Sequence, residues 1–361
     1  LLIISNKVLP IDPVDPRIAI FFFIENSNLK KQYMNFGISE QNMVSVAAGM
    51  ALSKKKVFIF TITPFITQRC LEQIKIDICF PNLPVTIVGN GSSLTYAYHG
   101  TSHQAIEDVA MMRSLPNLKI INPADNETSK LAVNLAYKSN QPVYIKLDKG
   151  FFKDLNYSKR NLTKGIVGSS KKDICIISTG SMVHEVNAII EYLQNKNIST
   201  SSIYIYLIKP FNKKKITNLI KGSKAIVTLE EQHIDGGIGS QICETIAEYN
   251  MNIPVKRYGI KDFYSKKYGD RNWLRKFYKI DKENTVRKTE IEIGLRKQGI
   301  VEVIAGLKIG DTITWEYGGL VKTGVITKMN RKTTEVVNAG ANPFGRTVTK
   351  IQNSMILGKV A

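Results

Sequence analysis

The chain has 361 residues, 43% hydrophobic and 22% charged, ordinary figures for a soluble globular protein of two or three domains. Its net charge of +20 suits either a nucleic-acid surface or steering of anionic small molecules. The densest basic stretch is Lys256–Lys297, and without an RNA-binding signature the second reading is preferred and no nucleic-acid partner is expected.

The apolar runs Leu1–Ser5 and Ile18–Ile24 are of strand length, far below the ~20 residues of a membrane-spanning helix. No secretory leader pattern precedes them, and a cytoplasmic location is expected. From residue 17 to about 150, continuous apolar or β-branched runs predict strands at Ile18–Phe23, Val57–Thr61, Val85–Gly89, Lys119–Ile121 and Val143–Leu147. Helical periodicity predicts Gln41–Ser53, Gln68–Cys79, Ile106–Ser114 and Glu127–Ser139 between them. Such alternation reads as an α/β fold with a doubly wound sheet over residues 1–150.

A polar, basic linker runs from Phe151 to Lys164. A second alternating unit, 165–285, follows. Strand Ile174–Ser178 leads through a Gly180-Ser181 turn into a helix reaching Leu193, and then come strands Ile203–Leu207 and Ala225–Glu230. Gly236-Gly237-Ile238-Gly239 opens a helix over Ser240–Tyr249. A lone Gly-Gly-x-Gly is weak support for a phosphate cradle, and the turn is read as structural.

Residues 286–361 change character. Short segments at Thr312–Tyr317, Lys322–Thr327, Thr333–Val337 and Arg346–Ile351 are separated by Gly318-Gly319, Asn330-Arg331 and a Gly/Asn/Pro cluster. They predict a small appended β-rich module. Cys70, Cys79, Cys175 and Cys243 have no C-x-x-C spacing, so they read as buried thiols in a reducing compartment. The four histidines are too dispersed for a zinc site, and no metal ligand is assigned to this chain.

The most informative stretch is Gly37–Gly49, which sets Glu40 at the entrance of a small-residue helix with Ser39 as a candidate N-cap. By itself Glu40 is as readily a capping acid as a functional one. Three segments taken together go further: Asn35-Phe36-Gly37-Ile38-Ser39-Glu40-Gln41-Asn42-Met43, Thr63-Pro64-Phe65-Ile66-Thr67-Gln68-Arg69, and His99-Gly100-Thr101-Ser102-His103-Gln104-Ala105-Ile106-Glu107-Asp108. In this order, and followed by Leu115-Pro116-Asn117 and Asn122-Pro123-Ala124-Asp125, they resemble the pyrimidine-binding domain of transketolases. The second unit resembles the C-terminal domain of the same enzymes, so that the likeness covers roughly residues 17–285. Residues 311–357 loosely resemble an SH3-like barrel, and residues 288–313 the end of a membrane-fusion adaptor protein.

The resemblance implies thiamine diphosphate as cofactor. Glu40 would be the acid that hydrogen-bonds the aminopyrimidine N1′ atom, Phe65 the aromatic stacked on that ring, and Ile38 and Gln68 further cofactor contacts. His103 would face the reacting carbon. Lys149 and Arg69 would be cations for a substrate phosphate, and His99 stands where the family often carries an acid that reads a substrate hydroxyl. The family's Gly-Asp-Gly motif, which binds the diphosphate and magnesium, does not occur. The implied protein is the C-terminal half of a split transketolase that transfers a two-carbon ketol unit between sugar phosphates in carbohydrate metabolism of the pentose phosphate kind. Its partner would be an N-terminal subunit holding Mg2+ and the diphosphate, in a hetero-oligomer of such pairs. The start is shortened, since Phe23-Ile24-Glu25-Asn26-Ser27 runs almost directly into Lys30-Lys31-Gln32-Tyr33. Alternatives are the β subunit of a 2-oxo acid dehydrogenase, a deoxyxylulose-phosphate-synthase-like enzyme, and a non-catalytic interaction protein derived from a transketolase half.

Overall fold

The computed structural model describes residues 33–285 apart from 151, 156 and 169–171, and outside that span the strands at 2–4, 7–9, 20–23, 312–317, 320–329, 333–338, 348–352 and 356–359. The shortened start and residues 286–311 lie outside the described residues. The chain divides into two compact units, Leu1–Lys282 and Glu283–Ala361. Among the described residues no helix is long and apolar enough to cross a membrane.

In the first unit β1 (Leu2–Ile4) and β2 (Lys7–Leu9) form an antiparallel pair. The first large sheet is built from β3 (Ile20–Phe23), β4 (Tyr33–Asn35), β5 (Val57–Ile62), β6 (Val85–Asn90), β7 (Lys119–Ile121) and β8 (Val143–Leu147). Between them run α1 (Glu40–Leu52), α2 (Thr63–Thr67), α3 (Leu71–Gln73), a π-helical run Ile74–Cys79, α4 (Asp108–Ser114) and α5 (Asn126–Tyr137). The centre, β7-β8-β6-β5, is parallel, while β3 pairs antiparallel with both β5 and β4. Every residue of β5 and β8 is buried, as a sheet covered on both faces requires. Successive side chains part company as the strand period dictates: Val57 and Ile59 join one core cluster, Phe58 and Phe60 the other.

α6 (Lys159–Leu162) leads into β9 (Ile166–Gly168), β10 (Ile174–Ser178), α7 (Met182–Asn195), β11 (Thr200–Ile205), β12 (Leu207–Lys209), α8 (Lys213–Ile220), β13 (Ala225–His233), α9 (Ile238–Glu248), β14 (Val255–Ile260) and α10 (Arg271–Phe277). The second sheet has the order β14-β13-β10-β11-β9, parallel except for β9. The run read as one strand at Ile203–Leu207 splits. β11 stays in this sheet, and β12 crosses to pair antiparallel with β7 as the edge of the first sheet. Buried tyrosines hold the crossing. The Tyr204 hydroxyl donates to Asn122 O at 2.8 Å and that of Tyr206 to Thr128 O at 2.7 Å. One core cluster accordingly runs from Met43 and Ile87 through to Ile203, Ile208 and Ile242.

A second departure concerns Gln68–Cys79, expected as one helix. Cys70 leaves helical geometry at φ −109°, ψ 14°, so α2 and α3 are separate turns. The widened π run then turns Ile74, Ile78 and Cys79 into the core and leaves Ile76 and Phe80 exposed.

The second unit contains β15 (Thr312–Tyr317), β16 (Leu320–Met329), β17 (Thr333–Asn338), β18 (Val348–Gln352) and β19 (Ile356–Lys359). They form an antiparallel sheet in the order β18-β17-β16-β15-β19. Four of these strands overlap the expected segments, and β19 is an addition to them.

Candidate active site

α1 begins at a turn that the sequence makes necessary. Gly37 takes φ +62°, a left-handed conformation natural to glycine, and donates its N–H to Asn35 Oδ1 at 2.8 Å. Ser39 occupies the N-cap position, but its hydroxyl donates to Phe36 O instead of accepting from the helix, so the expected side-chain cap is not made. Glu40 follows as the first helical residue, 2% exposed, where the helix dipole favours negative charge. Its Oε2 lies 2.6 Å from Arg69 Nη1. Ile38, 67% exposed, stands on the surface beside it.

Phe65 sits in α2 at the end of β5. Its neighbours Thr63, Pro64, Ile66 and Thr67 are buried, while Phe65 itself stays partly exposed. The turn thus spends four side chains on the core and presents the fifth as an aromatic face, which is not how a core phenylalanine is used. The Arg69 guanidinium covers that face with its Cζ 4.3 Å from the ring centroid. The backbone carbonyl of Arg69 accepts from Gln41 Nε2 at 3.1 Å, tying this turn to α1. Gln68 points elsewhere, donating to Glu107 Oε2 at 2.9 Å.

The two histidines close the site. His103 approaches Phe65 edge-on, ring centroids 5.1 Å apart, and His99 lies 5.1 Å from His103. Tyr96 meets both at 5.6 and 6.2 Å. Burial holds His103 below the usual histidine range, helped by electrostatic repulsion from the neighbouring His99 and Arg69 side chains, so the neutral ring prevails at pH 7. Lys149 joins the group through Tyr96, with Nζ 5.4 Å from its ring centroid. The structure therefore brings Glu40, Phe65, Arg69, His103, His99 and Lys149 into one chain of neighbours, with Ile38 and Gln68 at its margin.

What holds the histidine loop is less legible in sequence. Ala105, two residues after His103, donates to Ser93 O at 2.8 Å and accepts from Lys146 Nζ at 3.1 Å and Gln232 Nε2 at 2.9 Å. Lys146 and Asp108 are both buried and pair at 2.7 Å, and Tyr144 donates to the same carboxylate at 2.5 Å. A lysine inside the apolar run Val143–Leu147 is the one signal that could have prompted a search for its partner, because a fully buried ammonium needs one.

A second charged cluster joins the ends of the two sheets. Arg271 of α10 bonds Asp148 at 2.7 Å and Glu231 of β13 at 2.5 Å, and Arg275 bonds Glu231 at 2.5 Å and Glu185 of α7 at 2.7 Å. Burial pushes the Asp148 carboxyl up, but the Arg271 guanidinium and the Ser181 and Thr95 hydroxyls outweigh it and hold it below its ordinary value. Tyr268 lies over Gly100, where an added Cβ would come within 2.8 Å of its ring, so the loop before α10 roofs the histidine turn.

The Gly-Gly-x-Gly turn is filled from within. The Glu230 carboxylate accepts from Ile238 N at 2.8 Å and Gly239 N at 2.9 Å, and a Cβ at Gly237 would overlap that carboxylate. Burial raises the Glu230 carboxyl to about 7 against the pull of those N–H groups and of Arg257 and Arg113. The four cysteines are free thiols.

The profile of the transketolase pyrimidine-binding domain matches residues 14–153, and that of the transketolase C-terminal domain matches residues 163–284. The chain is 32% identical over 255 residues to one of the subunits of the apulose-4-phosphate transketolase of Actinobacillus succinogenes, covering 70% of this chain and 82% of that one. It is 31% identical over 261 residues to the 1-deoxy-D-xylulose-5-phosphate synthase of Clostridium tetani, but covers only 42% of that enzyme. Among solved structures, a split-gene transketolase described as an inactive β4 tetramer superposes with a TM-score of 0.64 at 29% identity, covering 72% of this chain and 83% of that one.

Proposed function

The chain belongs to the transketolase family, and from that premise we propose that it is the C-terminal subunit of a split thiamine-diphosphate-dependent transketolase, moving a two-carbon ketol unit between sugar phosphates. The observation that carries this reading is the pairing of a buried acid with a partly exposed aromatic ring. Glu40 and Phe65 are bridged by a single planar cation, so an acceptor and a stacking surface converge on one flat seat. The cofactor's aminopyrimidine is a flat ring that needs both, and the donor set fits it. The cofactor, when bound, supplies the nucleophilic carbon and the electron sink.

The chain's own residues would then divide the work. Glu40 holds a proton at N1′, Phe65 fixes the plane of the ring, and neutral His103 stands within a ring's breadth of Phe65 to donate to or accept from the reacting substrate. His99 reads a substrate hydroxyl. Lys149 meets the substrate phosphate as a point charge. The diphosphate and Mg2+ are held by an N-terminal partner subunit, and the active assembly is a hetero-oligomer of such pairs with its site at the interface. Coverage supports the split reading over the synthase reading: the chain spans 82% of a single transketolase subunit and 42% of a synthase.

The test is calorimetric titration of thiamine diphosphate and Mg2+ into this chain, alone and mixed with the first-half subunit. Binding is expected only in the mixture, and Glu40→Ala should abolish turnover of the mixture with both subunits still folded. No binding in either case, or near-normal turnover of the variant, would sink the assignment.

A further inference from the structure

Arg69, expected to meet a substrate phosphate, is bound inward. Its guanidinium is a planar cation with a fork of N–H donors. One Nη lies 2.6 Å from Glu40 Oε2, and the Cζ lies 4.3 Å above the Phe65 centroid. A flat ring that stacks on this same face of Phe65 while bonded to Glu40 lies where this guanidinium now lies, because at that separation no second planar group fits between the cation and the face. We propose that Arg69 is an internal stand-in for the cofactor's aminopyrimidine, filling its seat on Phe65 and its acceptor on Glu40 until the ring displaces it.

This rests on the reading of the seat given above, and three features of the seat favour it. Glu40 is 2% exposed and Arg69 is the cation that pairs with it among the described residues, so losing Arg69 would leave a buried charge without that counter-charge. Arg69 is 41% exposed, so its side chain already borders solvent into which it can turn. Its backbone is tied down by Gln41, so only the side chain has to swing. The cofactor must therefore compete with an intramolecular ligand, and loading waits for whatever else grips the cofactor at the same time, namely the diphosphate contacts of the partner.

Calorimetry of thiamine diphosphate with Mg2+ on the reconstituted two-subunit complex tests this, comparing wild type, Arg69→Met and Arg69→Lys. Methionine keeps the apolar stem but offers Glu40 no donor, and lysine keeps the charge but cannot stack as a plane. Removing a half-exposed competitor should tighten cofactor binding about three- to tenfold in Arg69→Met, with Arg69→Lys between it and wild type. Arg69→Met alone should also melt at a lower temperature than the wild-type chain. Equal or weaker cofactor binding by both variants, with wild type binding normally, overturns the stand-in and leaves the cofactor reading intact. Should Arg69→Met not fold, the lysine variant decides by the same criterion. Absence of cofactor binding by the wild-type complex would overturn the reading of the seat itself.

Discussion

His103 is flanked by Phe65 and by His99 and Arg69, and both burial and repulsion from the latter two neighbours oppose a further proton. A folded-state value below that of a free histidine means the neutral ring is kept until the solution is more acidic than usual. The acid limb of kcat/KM in the reconstituted enzyme is therefore expected below pH 6.5, the ordinary value. A pH–rate profile checks it, and His103→Asn should remove that limb and slow turnover by about 10²–10⁴. Glu40, Phe65 and His103 could be read from the sequence because each sits in a local motif whose neighbours have a reason to be there. The inward turn of Arg69 onto Glu40 and Phe65 could not be, since only folding decides which way a long side chain turns. Nor could Asp108 and Lys146, a buried pair separated by 38 positions. Only the oddity of a lysine in an apolar strand hinted at it.

Elements with one strong period were legible: β7, β8, β10 and β15 fall where their runs end, and for β8 and β10 the reason is burial on both faces, which calls for a nearly continuous apolar run. The β11–β12 division was not, since Tyr206 is as apolar as its neighbours and nothing local says that the chain changes sheets there. The turn into α9 shows an element depending on one carboxyl. Glu230 is raised to about 7 by burial, from an ordinary 4.5, so the folded state takes up its proton before the unfolded state does as pH falls. Its contribution is fully present below the unfolded value and is lost as pH rises through about 7. That loss is on the order of 3 kcal/mol between pH 4.5 and 7 by linkage. Urea unfolding of wild type and Glu230→Gln at pH 5 and pH 7.5 should show the wild-type advantage shrinking or reversing at the higher pH. A difference that does not move with pH would mean the carboxyl is already ionised in the fold.

Across the whole molecule, the residues of the proposed site lie in the first unit, and the five-stranded sheet of 312–359 forms a second. Deleting residues 286–361 should leave cofactor binding and turnover of the complex within about twofold of the full chain, because every residue of the proposed site belongs to the other unit. Failure of the two subunits to associate after that deletion would reassign the appended module to assembly.

The edge strand β12 has a consequence for where this protein can be divided. Family profiles part at residues 153 and 163, inviting a cut in the linker. Physically, the boundary is elsewhere: the sheet carrying the proposed cofactor seat borrows its last strand from beyond that linker, and Arg271 and Tyr268 reach back from farther still. A fragment ending at the linker would be a shelf with an open lip, its β7 N–H and C=O groups bare and able to recruit a strand from a neighbouring molecule. The two profile segments are two chapters of sequence packed into one compact unit, to be expressed and engineered together.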